Sequence, residues 1–290
     1  MIPASFEYEA ARDLTHAIQL LSASGGDAKL LAGGQSLIPL MKLRLAQPAS
    51  LIDLGRIKDL AYVREDGELR IGALTREADL ETSALLRQRY PILVDTTAVI
   101  ADPLVRNLAT VGGNLAHADP ANDHPATMLA LRASVVVRGP KGERVIPIDE
   151  LFVDTFTTSL KDDEILTEIR IPRAQPRSGG AYVKLERKVG DFAIAAVAAF
   201  VALDEKGQVT LAGVGLTNVG ATAIRARKAE EALLGHQPDE KAIAQAAAAA
   251  AAAAQPASDS RGPAEYKRDV VRVLAARAMR KAVARAKGGS

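Results

Sequence analysis

The chain has no cysteine and no tryptophan among its 290 residues. Without thiols it can form no disulfide, run no thiolate chemistry and hold no cysteine-ligated iron–sulfur cluster of its own. Aromatic residues make up only 3%, too few for a base-stacking platform. Charge of one sign is also missing: 37 Lys and Arg face 35 Asp and Glu, a formal net charge of +2. That balance excludes the basic footprint of a nucleic-acid-binding protein. No apolar run reaches the roughly 18 residues that cross a bilayer. The opening MIPASFEYEA lacks the basic-then-apolar order of a signal peptide. The expectation is a cytoplasmic protein with no nucleic-acid partner and no membrane span.

What is present is a mixture of helix and strand signals. Apolar spacing over residues 14–21, with Asp13 as N-cap and Gly25-Gly26 as stop, predicts a helix. Residues 29–31 read as a short buried strand, Gly33-Gly34 as a turn, and Ser36 as the cap of a helix running through Met41 and Leu45. Residues 51–54 are strand-like, and Asp66-Gly67 marks a hairpin. Helical spacing runs with breaks from Thr75 to about Ile100, with Pro91 opening one helix. A helix over 125–133 and strands over 134–139 and 163–172 follow. The Pro- and Gly-rich stretch 172–180 reads as a boundary. Beyond it come three strands, 181–188, 192–203 and 208–216, then helices over 223–234, 240–254 (largely polyalanine) and 264–287. That order predicts an antiparallel sheet with helices on one face.

One run, TVGGNLAHADPANDHP over 110–125, concentrates glycine, histidine and carboxylate. Metal binding by His117, Asp119, Asp123 and His124 is one reading, but Pro120 and Pro125 break the helical spacing such sites use. A His117–Asp acid–base pair is another, though no G-x-S-x-G elbow accompanies it. The plainest reading makes Asp123 the cap of the helix opening at Pro125, with both histidines as polar loop residues. The third functional reading uses glycine. AGGQS (32–36) and VGGN (111–114) are two diglycine segments followed by small polar residues. Backbone that lacks Cβ lets a ligand approach closely and lets N–H groups converge on an anion. Neither segment is a P-loop or a G-x-G-x-x-G dinucleotide fingerprint. Two such loops suit a pyrophosphate gripped from both sides.

The segments LLAGGQSLIPLMKLRLAQPASLIDL and ADPLVRNLATVGGNLAHADPANDHPATMLAL, with DEILTEIRIP and AYVKLERKVGDFAIAAVAA, resemble the FAD-binding medium subunit of the molybdenum hydroxylases, the aerobic carbon monoxide dehydrogenase and xanthine dehydrogenase family. The resemblance covers nearly the whole chain. It implies an α+β, PCMH-type (vanillyl-alcohol-oxidase-like) FAD-binding fold. Two α/β subdomains, 1–55 and 56–176, would precede a C-terminal domain, 177–290, of a three-stranded antiparallel sheet and a helical bundle. It also implies non-covalent FAD, because the usual covalent-attachment histidine is missing. Ala32, Gly33, Gly34, Gln35 and Ser36 match the family's first pyrophosphate loop; Thr110, Gly112, Gly113 and Asn114 match the second. Asp123 matches an aspartate that bonds the cofactor. Ile165, Leu166 and Lys184 match positions near the flavin, and Ile100 and Phe192 fall where relatives place a group against the isoalloxazine. Leu37 and His117 complete the expected cofactor-binding set. In one departure, RNLAT (106–110) stands where relatives often read RNRGT.

The same resemblance implies partners: a small iron–sulfur subunit and a large molybdopterin subunit, assembled as a dimer of heterotrimers, with electrons leaving through FAD to an external acceptor. Molybdopterin and iron–sulfur clusters would then sit on the partners, in keeping with zero cysteines here. No catalytic residue for substrate turnover is expected on this chain. The alternative from another class is a stand-alone FAD-dependent oxidase, and a further one is a nucleotide-binding regulator without catalysis. Arg187 and Lys188 are expected on a charged surface. Lys184 is expected either to stabilise reduced flavin or to be a solvated strand lysine.

Overall fold

The computed structural model describes residues 2–289. In the first unit, strands β1 (Glu7–Ala10), β2 (Ala28–Leu31) and β3 (Ser50–Asp53) form a parallel sheet in the order β1-β3-β2. Helices α1 (Leu14–Ala23) and α2 (Leu37–Lys42) make the crossovers that parallel pairing requires. Asp13 caps α1 by accepting from the His16 N–H. The helix expected to reach Leu45 stops at Lys42, and Ser36 makes no capping bond. Pro39 sits in its first turn, where its missing N–H is harmless.

The second unit begins with the hairpin β4 (Val63–Asp66) and β5 (Glu68–Gly72), turned at Gly67 with φ 71°. The predicted helical region resolves into α3 (Glu77–Thr82), α4 (Ala84–Arg89) and α5 (Pro91–Ala98), broken at Ser83, which caps α4, and at Pro91, the first residue of α5. Then come α6 (Pro103–Arg106), α7 (Val111–His117), α8 (Asp123–Ala130), β6 (Ser134–Gly139), β7 (Gly142–Pro147), α9 (Ile148–Leu151), the small ladder β8 (Phe152–Asp154) and β9 (Thr157–Thr158), and β10 (Ile165–Ile171). The five-stranded sheet runs β4-β5-β10-β6-β7, antiparallel throughout.

The third unit carries β11 (Ser178–Leu185), β12 (Ala195–Leu203), β13 (Val209–Thr217) and β14 (Ile224–Arg225), then α10 (Arg227–Glu231), α11 (Glu240–Ala253) and α12 (Ala264–Ala286). Two expectations change here. The sheet has a fourth, two-residue strand, β14, which takes residues expected to be helical and shortens that helix to α10. The sheet is also covered on both faces. Val197, Ala199 and Val201 of β12 join the cluster formed with α11 and α12, whereas Ala196, Ala198 and Phe200 pack with α5 and α8 of the second unit. The near-continuous apolar run FAIAAVAAFVAL is the sequence trace of that double burial. Strict alternation belongs to sheets with one wet face.

Glycine in β13 sets how closely α8 approaches. A Cβ on Gly213 would lie 1.9 Å from the Ala130 carbonyl oxygen, and one on Gly215 would lie 1.9 Å from that of Ala126. This backbone-on-backbone contact holds α8 against the C-terminal sheet. Gly215→Ala is therefore expected to destabilise the protein by about 1–3 kcal/mol through overpacking. A urea unfolding midpoint unchanged from wild type would contradict that packing account.

Candidate cofactor site

Strand β2 feeds directly into residues 32–36. Gly34 has φ 73°, and a Cβ there would meet the Ile38 side chain at 2.7 Å. Gly33 has no unusual φ, but its Cβ would fall 2.2 Å from the Leu108 carbonyl oxygen. Glycine lets this loop lie directly on the 108–109 backbone. Leu108 and Ala109 occupy the positions that depart from the relatives' RNRGT. The contact is made by backbone and the Leu108 side chain is half exposed, so the departure leaves it intact. Among the described residues, no protein acceptor takes the N–H groups of Ala32, Gly33, Gly34, Gln35 or Ser36. The Gln35 amide turns back to donate to the Gly33 carbonyl at 3.1 Å.

The second diglycine is not a turn. It lies in the first turn of α7, capped by Thr110, whose hydroxyl accepts from the Gly113 N–H at 3.3 Å. Two further amides of this helix start are used: Val111 N–H donates to the Thr75 carbonyl at 3.1 Å and Gly112 N–H to that of Ala73 at 2.9 Å. A Cβ on Gly112 would sit 2.6 Å from the Ala73 oxygen, so this glycine seats α7 on the chain leaving β5. The expectation that both glycine pairs supply free amides is corrected: the first loop does so, and the second brings Gly113 beside it. A Cβ on Gly113 would be 3.8 Å from Ala32 Cβ. Asn114 Oδ1 is buried without a partner, while its backbone carbonyl accepts from Asn122 Nδ2 at 2.8 Å. His117, half buried, stacks its ring 5.1 Å from that of Phe156, and burial lowers its pKa against the pull of Asp119. His124 goes elsewhere. It is fully buried on Glu77, Nε2 to Oε2 at 2.7 Å.

Asp123 does not cap α8. Asn122 occupies the cap position, and Asp123 is the first helical residue, 5% exposed. Its Oδ1 accepts from the Tyr182 hydroxyl at 2.6 Å and its Oδ2 from Lys184 Nζ at 2.9 Å. Lys184 also donates to the Val99 carbonyl at 3.0 Å and lies 3.5 Å from Glu186 Oε2. With its side chain 3% exposed, Lys184 is not the solvated lysine that was one of its two expected readings. Tyr182 additionally meets Thr217 Oγ1 at 3.2 Å. Burial raises the pKa of Asp123 despite Lys184 and Tyr182, and burial with the Asp123 charge pushes Tyr182 well above its ordinary value. Sequence reading passed over Tyr182. The available signal was the period of two along β11, which puts residues 182 and 184 on one face.

Ile100 is buried, with its carbonyl accepting from Arg106. Ile165 and Leu166 lie on β10 before a bulge, with side chains buried in separate apolar clusters, Ile165 around the first sheet and Leu166 in the second unit. Leu37 is half buried at the start of α2. Phe192 is 48% exposed, beneath the Arg261 guanidinium at 6.0 Å. Arg187 is exposed as expected, paired with Asp191 at 3.1 Å.

A half-buried loop of unspent amides, a neighbouring helix start and a buried acid–base cluster are the kinds of group that an anionic cofactor requires. Residues 4–174 match the FAD binding domain in molybdopterin dehydrogenase, and residues 180–282 match the CO dehydrogenase flavoprotein C-terminal domain. The chain is 45% identical to the carbon monoxide dehydrogenase medium chain of Hydrogenophaga pseudoflava, covering 98% of this chain and 99% of that one. It is 41% identical to the 6-hydroxypseudooxynicotine dehydrogenase complex subunit alpha of Paenarthrobacter nicotinovorans, covering 99% and 97%. A solved structure of the Hydrogenophaga pseudoflava carbon monoxide dehydrogenase lacking the Mo-pyranopterin moiety of its molybdenum cofactor superimposes with TM-score 0.95 at 46% identity, covering 98% of this chain and 99% of that one. The chain belongs to the family of FAD-binding medium subunits of the molybdenum hydroxylases, with the fold that the sequence resemblance implied. It is a flavoprotein subunit of an oxidoreductase. The residues fit FAD: five unsatisfied amides suit a diphosphate, and the orphaned Asn114 Oδ1, next in sequence to Gly113, is an acceptor without a donor.

The Asp123–Lys184 pair generates two expectations. Lys184→Met is expected to cost about 3–5 kcal/mol by stranding a buried carboxylate, with part of that loss absent when Asp123→Asn is added. Fully additive losses in urea unfolding would count against the pairing. Because the folded-state pKa of Asp123 is raised, its contribution to stability is greatest below the ordinary carboxyl value of about 4 and declines as pH rises through the raised pKa. The stability difference between wild type and Asp123→Asn should therefore shrink with rising pH. A difference that grows with pH would reverse the assignment.

Proposed function

We propose that this chain holds FAD non-covalently between its two N-terminal units and its C-terminal sheet, dividing at about residues 55 and 176 as the sequence suggests. The observation that carries the binding site is the run of unbonded N–H groups from Ala32 to Ser36. In this reading Ala32, Gly33, Gly34, Gln35, Ser36 and Leu37 hold the diphosphate from one side. Thr110, Gly112, Gly113, Asn114 and His117 flank it from the helix α7 side, with Gly112 acting as a packing position. Asp123 and Lys184 face the flavin end together with Ile100, Phe192 and the backbone at Ile165 and Leu166. FAD, when bound, accepts electrons singly and releases them in pairs, and the protein's part is orientation and electrostatics. Lys184 places a buried positive charge that favours an anionic flavin. Asp123 and Tyr182 fix its position, and the apolar wall at Ile100 limits water.

The place of this chain in a larger enzyme follows from its relatives, which are named as a medium chain and as a subunit of a complex. We infer a small iron–sulfur subunit delivering electrons, a large molybdopterin subunit turning over the substrate, an external acceptor, and a dimer of such heterotrimers. Zero cysteines agree with clusters on another chain. The relatives are named for carbon monoxide and for 6-hydroxypseudooxynicotine, so the substrate pocket is assigned to the partner. No helix is long and apolar enough to cross a membrane among the described residues, which supports a cytoplasmic assembly.

The test is a purification under native conditions. The protein is expected to be yellow, to release FAD rather than FMN on acid denaturation, and to copurify with chains carrying iron, sulfur and molybdenum. A colourless complex, or flavin that stays attached after denaturation, would refute the reading. Gly33→Ala, which forces the first loop off the Leu108 backbone, should lower FAD affinity by at least about tenfold, the equivalent of one lost charge-assisted hydrogen bond. Fluorescence titration of the flavin-stripped protein measures it.

A further inference from the structure

Three successive backbone carbonyls, those of Val99, Ile100 and Ala101, are held by two buried cations. Lys184 Nζ takes Val99 O at 3.0 Å. Arg106 Nη1 takes Ile100 O at 2.9 Å and Ala101 O at 3.3 Å. Each cation is anchored by a carboxylate from a different element. Lys184 is tied to Asp123 of α8, whereas Arg106 makes a two-point contact with Glu81 of α3, Nε to Oε2 at 2.8 Å and Nη2 to Oε1 at 3.4 Å. The Arg106 side chain is 10% exposed, on a four-residue helix started by the Asp102 cap. An arginine is rarely buried so deeply unless it is fully paired, and here it is shared between the Glu81 carboxylate and two backbone carbonyls.

The segment so held is not a relaxed loop. Ala101 has φ 45°, a left-handed conformation that a residue with a Cβ adopts only where its surroundings impose it. On the other side, Gly190 packs so tightly that a Cβ there would lie 2.8 Å from the Ala101 oxygen, which brings the loop after β11 onto the same carbonyl. Residues 99–101 are thus the point where α5, the Arg106 helix and the C-terminal sheet meet, beside the Asp123–Lys184 pair.

We propose that Arg106 is a positioning residue for the flavin end of the cofactor site: anchored by Glu81, it straps the strained 99–101 backbone so that Ile100 and Lys184 are presented in fixed register. This inference rests on the FAD reading above. It assigns Arg106 no contact with the cofactor. A planar guanidinium bridges two carbonyls and a carboxylate at once, which a lysine ammonium does with less fixed geometry. Loss of the strap releases the ring wall while leaving the 32–36 loop, which meets a different backbone segment, in place.

The experiment compares wild type, Arg106→Gln, Arg106→Lys and Glu81→Gln. Each protein is purified with whatever subunits accompany it and stripped of flavin, and each is checked by far-UV circular dichroism. Glu81→Gln keeps the guanidinium and loosens only its anchor, so it carries the test where Arg106→Gln fails to fold. Binding is read with two probes: FAD, which spans the whole site, and ADP, which spans only the diphosphate half. The expected result is FAD affinity weaker by about tenfold in Arg106→Gln, partly restored in Arg106→Lys. ADP affinity should be unchanged, and the visible circular dichroism of bound flavin should be altered in both Arg106→Gln and Glu81→Gln. Equal weakening of FAD and ADP, or an unaltered flavin spectrum with wild-type affinity, would overturn the strap. Wild-type protein that binds ADP but no FAD would instead overturn the site reading beneath it.

Discussion

A carboxylate buried where the second and third structural units meet is the constraint on which the rest depends. Asp123 opens α8 in the second unit, but both its oxygens are satisfied by β11 of the third, through the Tyr182 hydroxyl and the Lys184 ammonium. A lone carboxylate at such burial would be prohibitively unfavourable, so the second and third units must dock in one register for Asp123 to be tolerated. That register is reinforced by shape. Glycines in β13 admit the α8 backbone at a distance any side chain would forbid. At the far edge of the same junction, Asp95 on α5 pairs with Lys281 and Arg285 of α12. Polar pairing sets the alignment and the apolar clusters on either side stabilise it.

The same junction gives the flavoprotein its division of labour. The first unit contributes a loop whose amides are left unspent, an anion-binding feature that needs no formal cation. The second contributes the helix start beside it. The third contributes Lys184, a buried cation already compensated by Asp123. A site arranged in this way separates holding the cofactor from tuning it. In the proposed site, pyrophosphate recognition is electrostatically neutral backbone work, and the buried ion pair belongs to the end where redox changes the charge.

Much of the site was legible because glycine leaves a direct trace. Gly33-Gly34 and Gly112-Gly113 stood out in the sequence, and the structure brings Gly113 to within reach of Ala32 at the start of the first loop. Their roles were not legible. Gly34 supplies a positive φ, Gly33 and Gly112 make room for a neighbouring carbonyl, and only Gly113 borders the other loop; a sequence shows the missing Cβ but not what occupies its space. Asp123 was read as a possible helix cap because local spacing favours that role, and its true partners lie 59 and 61 residues away. Tyr182 and Arg106 were overlooked for a similar reason. Each matters through what long-range packing brings to it.

Composition and pattern by themselves determined the kinds of element, the absence of bound thiolate chemistry, the two glycine pairs and the family. These follow from local rules, namely side-chain periodicity, backbone freedom and motif spacing. The tertiary structure alone decided that the C-terminal sheet is covered on both faces, that β14 replaces the start of an expected helix, and that Lys184 is buried in an ion pair rather than solvated. Those outcomes turn on which surfaces meet. The free energy of burying a charge or excluding a Cβ exists only once distant segments are in contact.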